Sequence, residues 1–155
     1  MRIVSTLAIL AMGAASPALA QAKPGNCAIY AEMTADTVRK DKRIKGAEAA
    51  SIAEALDTYA EAQRAIVERD MPQTYAQSKA FGWDKATVDK KIKEGEDALR
   101  AGFRTPTMEA DKVYMDHVMA VYNCANAAKS PDELGQSPEA MVAALETLSQ
   151  RAQGR

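Results

Sequence analysis

The two cysteines of this 155-residue chain, Cys27 and Cys124, constrain its fold more than any other pair of residues. Together they would close a loop that spans most of the chain. Two cysteines in a protein that leaves the reducing cytoplasm are read most simply as one disulfide. We therefore predict a Cys27–Cys124 bond, which stabilises the folded chain by restricting the unfolded one. A redox pair or a metal site is the alternative, but no Cys-x-x-Cys spacing supports either.

The first twenty residues have the three parts of a secretory signal peptide. A positive charge is followed by an apolar run over residues 3–15 and by the small-x-small sequence Ala18-Leu19-Ala20. The run is too short to cross a hydrocarbon core of about 30 Å as a helix. We therefore expect cleavage between Ala20 and Gln21, no transmembrane segment afterwards, and a periplasmic or secreted product.

The remaining chain, residues 21–155, is long enough for one domain with its own core. We predict a single helical domain with an ordered core over about residues 26–150. The formal net charge of the whole chain is −1, and nucleic-acid-binding domains need a strongly basic face. The composition therefore argues against a nucleic-acid partner.

The fold class predicted for this domain is all-α. Strand-forming runs and Asn-Gly or Asp-Gly hairpin signals are absent, whereas apolar residues recur every three or four positions. Proline and glycine residues divide the chain into helical pieces. The predicted main helices are 26–40, 47–70, 84–101, 105–129 and 137–150, with a separate short helix over 73–81 after Pro72.

These lengths predict an up-down four-helix bundle with an additional C-terminal helix. In such a bundle the start of the first helix and the end of the fourth lie together, so the disulfide would clamp those two helices. The fourth helix is expected to bury a wide apolar side. This side comprises a stripe of Met108, Met115, Met119 and Tyr122 and, next to it, Tyr114, Val118, Val121 and Ala125. Thioethers also suit Cu(I), but the spacing of these methionines is that of a core stripe.

A small-ligand carrier is the main alternative function, and it rests on Met33 and on His117, the only histidine. Counted from the disulfide, both residues lie about 9–10 Å along their helices at 1.5 Å per residue. A Met/His pair at one level of a periplasmic bundle resembles the ligand set of b-type bundle cytochromes, which implies non-covalent haem. The helical phases oppose this, because the stripe with Met33 is not the one that contains Cys27.

A hydrolase that uses His117 is the remaining alternative. No Gly-x-Ser-x-Gly elbow is present, and Asp116 would point about 100° away from His117 on a helix. No Glu-x-x-His pair suggests a di-iron site, because Tyr114 stands three residues before His117. We therefore predict no catalytic residues, no metal site and no resident cofactor.

An exported, non-enzymatic protein with a binding, structural or envelope-stress role is the function that these features favour. Its partner would be an envelope macromolecule or a second copy of the chain, and the sequence leaves its oligomeric state open. A binding protein should expose a contiguous apolar patch, which we expect on the C-terminal helix or at the turn with Phe81 and Trp83. The lysines at 85, 90, 91 and 93 and the basic residues within 39–45 could touch anionic lipid, although solvated helix faces account for them.

Overall fold

A computed structural model of the chain describes residues 23–102 and 110–152, and the side chains within 23–102 and 116–151. The described residues form helices and turns without a strand, which confirms the all-α prediction. The predicted signal peptide, its cleavage site at Ala20 and Gln21, and the predicted start of the fourth helix lie outside these ranges. The helices are α1 (Pro24–Lys40), α2 (Gly46–Lys79), α3 (Lys85–Gly102), α4 (Ala110–Asn126) and α5 (Pro138–Ala152), with a 3₁₀ turn (Pro131–Leu134) before α5.

Helix α2 passes through Pro72, so the predicted break and the separate helix over 73–81 are wrong. A proline inside a helix removes one backbone hydrogen bond and costs about 3 kcal/mol relative to alanine. Pro72 is exposed, and water can therefore solvate the carbonyl that its missing N–H leaves without a donor. The result is a helix of 34 residues, roughly 51 Å long at 1.5 Å per residue.

Helices α1 and α2 run antiparallel, as their ion pairs require. Arg64 of α2 donates to Glu32 of α1, and Arg39 of α1 donates to Asp57 of α2. Moving seven residues forward on α1 thus corresponds to seven residues backward on α2. The interface between them is built largely from small buried side chains, which allow the two helices to approach closely: Ala28, Ala31, Ala35, Ala49, Ala53 and Ala60.

The main buried cluster draws its side chains from α1, α2, α4 and α5. Its largest members include Tyr30, Leu56, Tyr59 and Leu148, all almost fully buried. Among the described residues, α3 adds only the partly buried Leu99 at the edge of this cluster. Helix α5, which the sequence suggested as an addition to a bundle, is therefore part of the core, and α3 is peripheral.

The predicted disulfide between Cys27 and Cys124 is present and joins α1 to α4. The S–S distance is 2.08 Å, the Cα atoms are 5.7 Å apart, and both residues are buried. The bond lies near the C-terminal end of α4 and the N-terminal end of α1. Within the described ranges, no helix has both the length and the hydropathy that crossing a bilayer would require.

Candidate functional site

The face of α4 that turns towards the core differs from the predicted one. Met119 is 43% exposed and Tyr122 is 47% exposed, so the prediction that they lie in the core is wrong. Met108 and Met115, the other members of the predicted stripe, have side chains outside the described ranges. Val118 and Val121, which the sequence placed beside that stripe, are buried as predicted, and the other buried residues in the described part of α4 are His117, Ala120 and Cys124.

The disulfide explains this rotation of α4. Cys124 must face Cys27 on α1, and a helix turns about 100° per residue. His117 and Val121 then lie within about 60° of Cys124, whereas Tyr122 lies about 160° away. Apolar periodicity missed this, because it treats methionine and tyrosine as core residues and histidine as polar. Counting the helical phase from Cys124 would have found the buried face.

The exposed face of α4 forms one wall of an apolar groove, and α5 forms the other. The groove has a volume of about 690 Å³. Val142, the first residue of the α5 wall, is 49% exposed, although the neighbouring Met141 is buried in the core. The lining residues are Tyr122, Ala125, Asn126, Leu134, Val142, Leu145, Glu146, Ser149 and Gln150.

Part of the lining of this groove is polar, and Glu146 is the one acid in it. Asn126, Glu146, Ser149 and Gln150 are the polar members of its lining. Residues 130–150, which include the 3₁₀ turn and most of α5, contain four acids and neither lysine nor arginine. The groove therefore offers apolar side chains next to one carboxylate and three uncharged polar side chains.

Contacts with α2 fix the position of the α5 wall. Gln63 of α2 donates from Nε2 to the carbonyl oxygen of Glu133 at 2.7 Å, which anchors the 3₁₀ turn. Gly135, whose φ is +92°, follows this turn at a place where a Cβ would lie only 3.1 Å from the carbonyl oxygen of Thr58. At the other end of α5, Arg151 donates from Nη2 to both carboxylate oxygens of Glu48 at 2.8 and 2.9 Å. The groove is thus formed by anchored elements.

The turn between α2 and α3 is a second exposed apolar site. Phe81 is 80% exposed and Trp83 is 44% exposed. Both places at which the sequence suggested an apolar surface, the C-terminal helix and this turn, therefore carry exposed apolar side chains. The turn lies on α2 and α3, whereas the groove is built by α4, α5 and the 3₁₀ turn.

Met33 and His117, the suggested haem ligands, are both buried but lie on differently directed faces. Met33 lies about 120° around α1 from Cys27, and His117 lies only about 20° around α4 from Cys124. Met33 is also outside the main buried cluster, which includes Cys27 and Cys124. Burial lowers the pKa of the His117 imidazole, partly opposed by the charge of Asp116, and so favours its neutral form.

No group of three histidine, cysteine, aspartate or glutamate residues could hold a metal ion within the described part of the chain. Comparison of the chain with family models, with curated proteins and with solved structures finds no match. The function is therefore inferred from the chain's own residues.

Proposed function

We propose that this chain is an exported, non-enzymatic binding protein whose α4–α5 groove receives an amphipathic helix of a partner protein. The observation that carries the proposal is the exposed apolar groove with Tyr122 and Val142 on its two walls. Apolar side chains exposed together on a soluble surface and bordered by polar residues are typical of interaction sites. On α5 the exposed Val142 lies beside the buried Leu145, and both line the groove.

The spacing of the lining residues favours a helical ligand. On α5 they recur at 142, 145, 146, 149 and 150, and on α4 at 122, 125 and 126, which is one face of each helix. Two helices that flank an apolar floor can accept a third helix through its residues at i, i+3, i+4 and i+7. Such a partner would complete a helix bundle from outside.

The acidic stretch that includes the groove residue Glu146 favours a cationic partner. Glu146 lies in the groove, and Asp132, Glu133 and Glu139 lie in the same stretch of sequence, between Lys129 and Arg151. Opposite charges across an interface accelerate association and select the correct partner. We therefore propose a partner helix with an apolar face and lysine or arginine residues beside that face.

The cellular location proposed for this interaction is an oxidising compartment outside the cytoplasm. The predicted signal peptide supports export, and a buried Cys27–Cys124 bond is consistent with a periplasm or a secreted protein. The partner would then be a macromolecule of the cell envelope, or a second copy of the chain.

We also keep the up-down order of the first four helices as a proposal. The Glu32–Arg64 contact supports an antiparallel α1–α2 pair, and the Tyr75–Asp89 contact supports an antiparallel α2–α3 pair. In that order α4 would run antiparallel to α1, with Cys124 beside Cys27. Distances between labels on α1 and on the first turn of α4 would test it.

The test of the groove uses a synthetic Leu/Lys amphipathic peptide, with a Leu/Glu peptide of the same apolar face for comparison. The disulfide-bonded protein should bind the Leu/Lys peptide, and Val142→Lys should weaken that binding about tenfold because it places a cation among apolar contacts. Ala143→Lys is the matched control, since it makes the same charge change on an exposed neighbouring residue. Equal losses from the two variants, or equal binding of the two peptides, would contradict the proposal.

A small apolar ligand is a second candidate occupant, because a volume of about 690 Å³ lies in the range of small-molecule pockets. Native mass spectrometry of the exported protein distinguishes a small bound ligand from a groove that receives a partner helix. A bare mass supports the peptide groove, whereas an added mass that leaves on denaturation supports a carrier. A coloured product that loses its absorption after His117→Ala or Met33→Ala would instead favour haem.

A further inference from the structure

The distal part of the α2–α3 pair extends beyond the other helices of the described ranges. Helix α1 begins at Pro24, and Gly25 lies against Val67 of α2, where a Cβ would be 3.7 Å from Val67 Cγ2. Residues 71–79 of α2 continue for about 13 Å past the neighbourhood of the disulfide. None of these nine residues is buried. Tyr75, within this stretch, donates to Asp89 Oδ1 of α3 at 2.6 Å.

The turn at the end of this extension has a defined backbone. The N–H of Trp83 donates to the carbonyl of Ser78 at 3.1 Å, and the N–H of Gly82 donates to the carbonyl of Lys79 at 3.0 Å. With Gly82 at a φ of +78°, these bonds form the Schellman motif that ends many helices. This cap therefore holds the turn, so the exposure of its aromatic residues does not come from a frayed end.

The next helix begins immediately after this cap. Asp84 accepts a hydrogen bond from the N–H of Thr87 at 2.8 Å and so caps α3. Phe81 and Trp83 are thus presented by two consecutive caps, at the point of the hairpin farthest from the disulfide. We call residues 79–93 the hairpin tip.

The hairpin tip is cationic, although the chain as a whole is slightly acidic. Residues 79–93 contain five lysines and two aspartates, whereas the formal charge of the entire chain is −1. Lys91 Nζ lies 5.0 Å from the centre of the Trp83 ring, and Lys85 Nζ lies 5.0 Å from that of Tyr75. Cations and aromatic rings therefore share one surface.

Part of this positive charge is paired within α3. The exposed pairs are Lys85–Asp89, Lys90–Glu94 and Lys93–Asp97, each joining residues four apart. Exposed pairs of this kind contribute little and are screened by salt. A surface with a high density of negative groups can therefore compete with them for the lysines.

We propose that the hairpin tip docks the protein on an anionic phospholipid bilayer. Phe81 and Trp83 would enter the interfacial region, where aromatic side chains are enriched, and the surrounding lysines would contact the headgroups. One apolar insertion combined with a polybasic patch is a known basis for reversible membrane attachment. This role is separate from the proposed groove, because the tip belongs to α2 and α3.

Trp83 is the only tryptophan of the chain, so its fluorescence reports directly on the tip. The disulfide-bonded protein is titrated with vesicles of phosphatidylglycerol and phosphatidylcholine in equal parts, and with phosphatidylcholine alone. We expect a blue shift and co-sedimentation with the anionic vesicles, both weakened by salt. Neither signal is expected with phosphatidylcholine at the same lipid concentration.

Two variants with matched controls attribute the binding to the tip. Phe81→Ser should weaken binding about tenfold while Trp83 remains as the probe. Lys91→Glu should weaken it by a similar factor, because two units of charge change near the surface. Lys42→Glu makes the same charge change at an exposed residue outside the tip, and Val142→Lys alters only the groove, so both should bind anionic vesicles nearly as well as the parent protein.

An unchanged Trp83 spectrum with anionic vesicles would overturn the proposal, as would equal binding to both vesicle types. A loss with Lys42→Glu as large as that with Lys91→Glu would mean that net charge, and not the tip, attracts the protein. Because Phe81 and Lys91 are exposed, circular dichroism should show folded variants. Failure of this experiment would leave the peptide groove untouched.

Discussion

The disulfide-linked core and the distal α2–α3 hairpin are held together by different forces. In the core, Leu56, Tyr59 and Leu148 are almost fully buried, and a covalent bond joins α1 to α4. In the hairpin, Val88 is the only described residue of α3 that is buried. The contacts between its two helices include the hydrogen bond from Tyr75 of α2 to Asp89 of α3.

Because of this difference, we expect the core to determine the stability of the protein and the exposed hairpin residues to determine its surface chemistry. Apolar burial contributes about 25 cal/mol per Å², so a region that buries little contributes little to folding. The hairpin can therefore vary its exposed residues at low cost to stability. The groove differs again, because its exposed residues Tyr122 and Val142 lie directly on helices whose other faces form the core. Substitutions in the core should thus affect folding, and those in the hairpin should affect mainly binding.

Loss of the disulfide is the largest predicted effect. Cys27→Ser with Cys124→Ser should lower the free energy of unfolding by about 3–5 kcal/mol, because the closed loop includes most of the chain. Chemical denaturation of the two proteins measures this, and reduction of the parent protein should reproduce it. A midpoint that reductant leaves unchanged would contradict the role of the bond. The double variant itself should not respond to reductant.

A truncation in the core should cost more than one in the hairpin. Leu56→Ala should lower the free energy of unfolding by about 2–5 kcal/mol, since it opens a cavity in the main cluster. Val88→Ala removes a buried side chain of α3 and should cost about 1–2 kcal/mol. Urea denaturation compares the two. Equal losses would show that α3 is as much a part of the core as α2.

The acid sensitivity of the protein should originate in the core, at His117. Burial lowers the pKa of this imidazole below its ordinary value near 6.5, so the unfolded chain binds the proton more tightly. Stability should be constant above pH 6.5 and should fall below it, by up to about 1.4 kcal/mol per pH unit. His117→Leu should remove this slope between pH 6.5 and 5.5, whatever it does to stability at pH 8. If the pH dependence of stability is the same in His117→Leu as in the parent protein, the assignment to His117 is contradicted.

A substitution at the junction between the core and the hairpin should have a smaller effect on the free energy of unfolding. Glu32 of α1 accepts hydrogen bonds from Arg64 of α2 and from Arg100 of α3. Burial raises the pKa of Glu32, but the two guanidinium groups outweigh it, and the pKa lies below its ordinary value. Glu32→Gln should therefore cost about 0.5–1 kcal/mol near neutral pH, because the groups are partly exposed.

The contribution of Glu32 should disappear in acid. A lowered carboxyl pKa stabilises the fold above the unfolded pKa of about 4.5 and loses that effect as the pH falls through the lower folded value. The difference in stability between parent protein and Glu32→Gln should thus shrink as the pH falls below about 4.5. Glu61→Gln, at an exposed position of α2, is the control and should change little. A difference that persists in acid would point to packing instead of charge.

Local sequence signals predicted much of this fold. Apolar residues that recur every three or four positions, such as Ile52, Leu56 and Tyr59, are buried on α2, and α3 begins at Lys85, next to the predicted start at residue 84. The cysteine pair predicted the disulfide between the first and fourth helices. These features depend on neighbouring residues or on a single covalent bond, and both are readable without knowledge of the packing.

The predictions that were wrong concern features that depend on tertiary contacts. Pro72 suggested a helix end, but exposure lets water satisfy the carbonyl that proline leaves free. Met119 was expected in the core, but the rotation imposed by Cys124 directs it outwards. The groove could not be located for the same reason, since Tyr122 and Val142 become neighbours only when α5 joins the core. The apolar periodicity of a helix indicates which face is buried, but it does not show which other helix packs on that face.

Hydrogen–deuterium exchange tests most directly whether the molecule carries two separate binding surfaces, one on the core and one on the hairpin. The disulfide-bonded protein is measured free, with the Leu/Lys peptide and with anionic vesicles. The peptide should slow exchange around Tyr122 and Val142 and leave the hairpin tip unchanged. The vesicles should slow exchange around Phe81 and Trp83 and leave the groove unchanged. Two footprints that coincide, or peptide protection centred on the hairpin, would contradict the division of the molecule into a core groove and a membrane-docking tip.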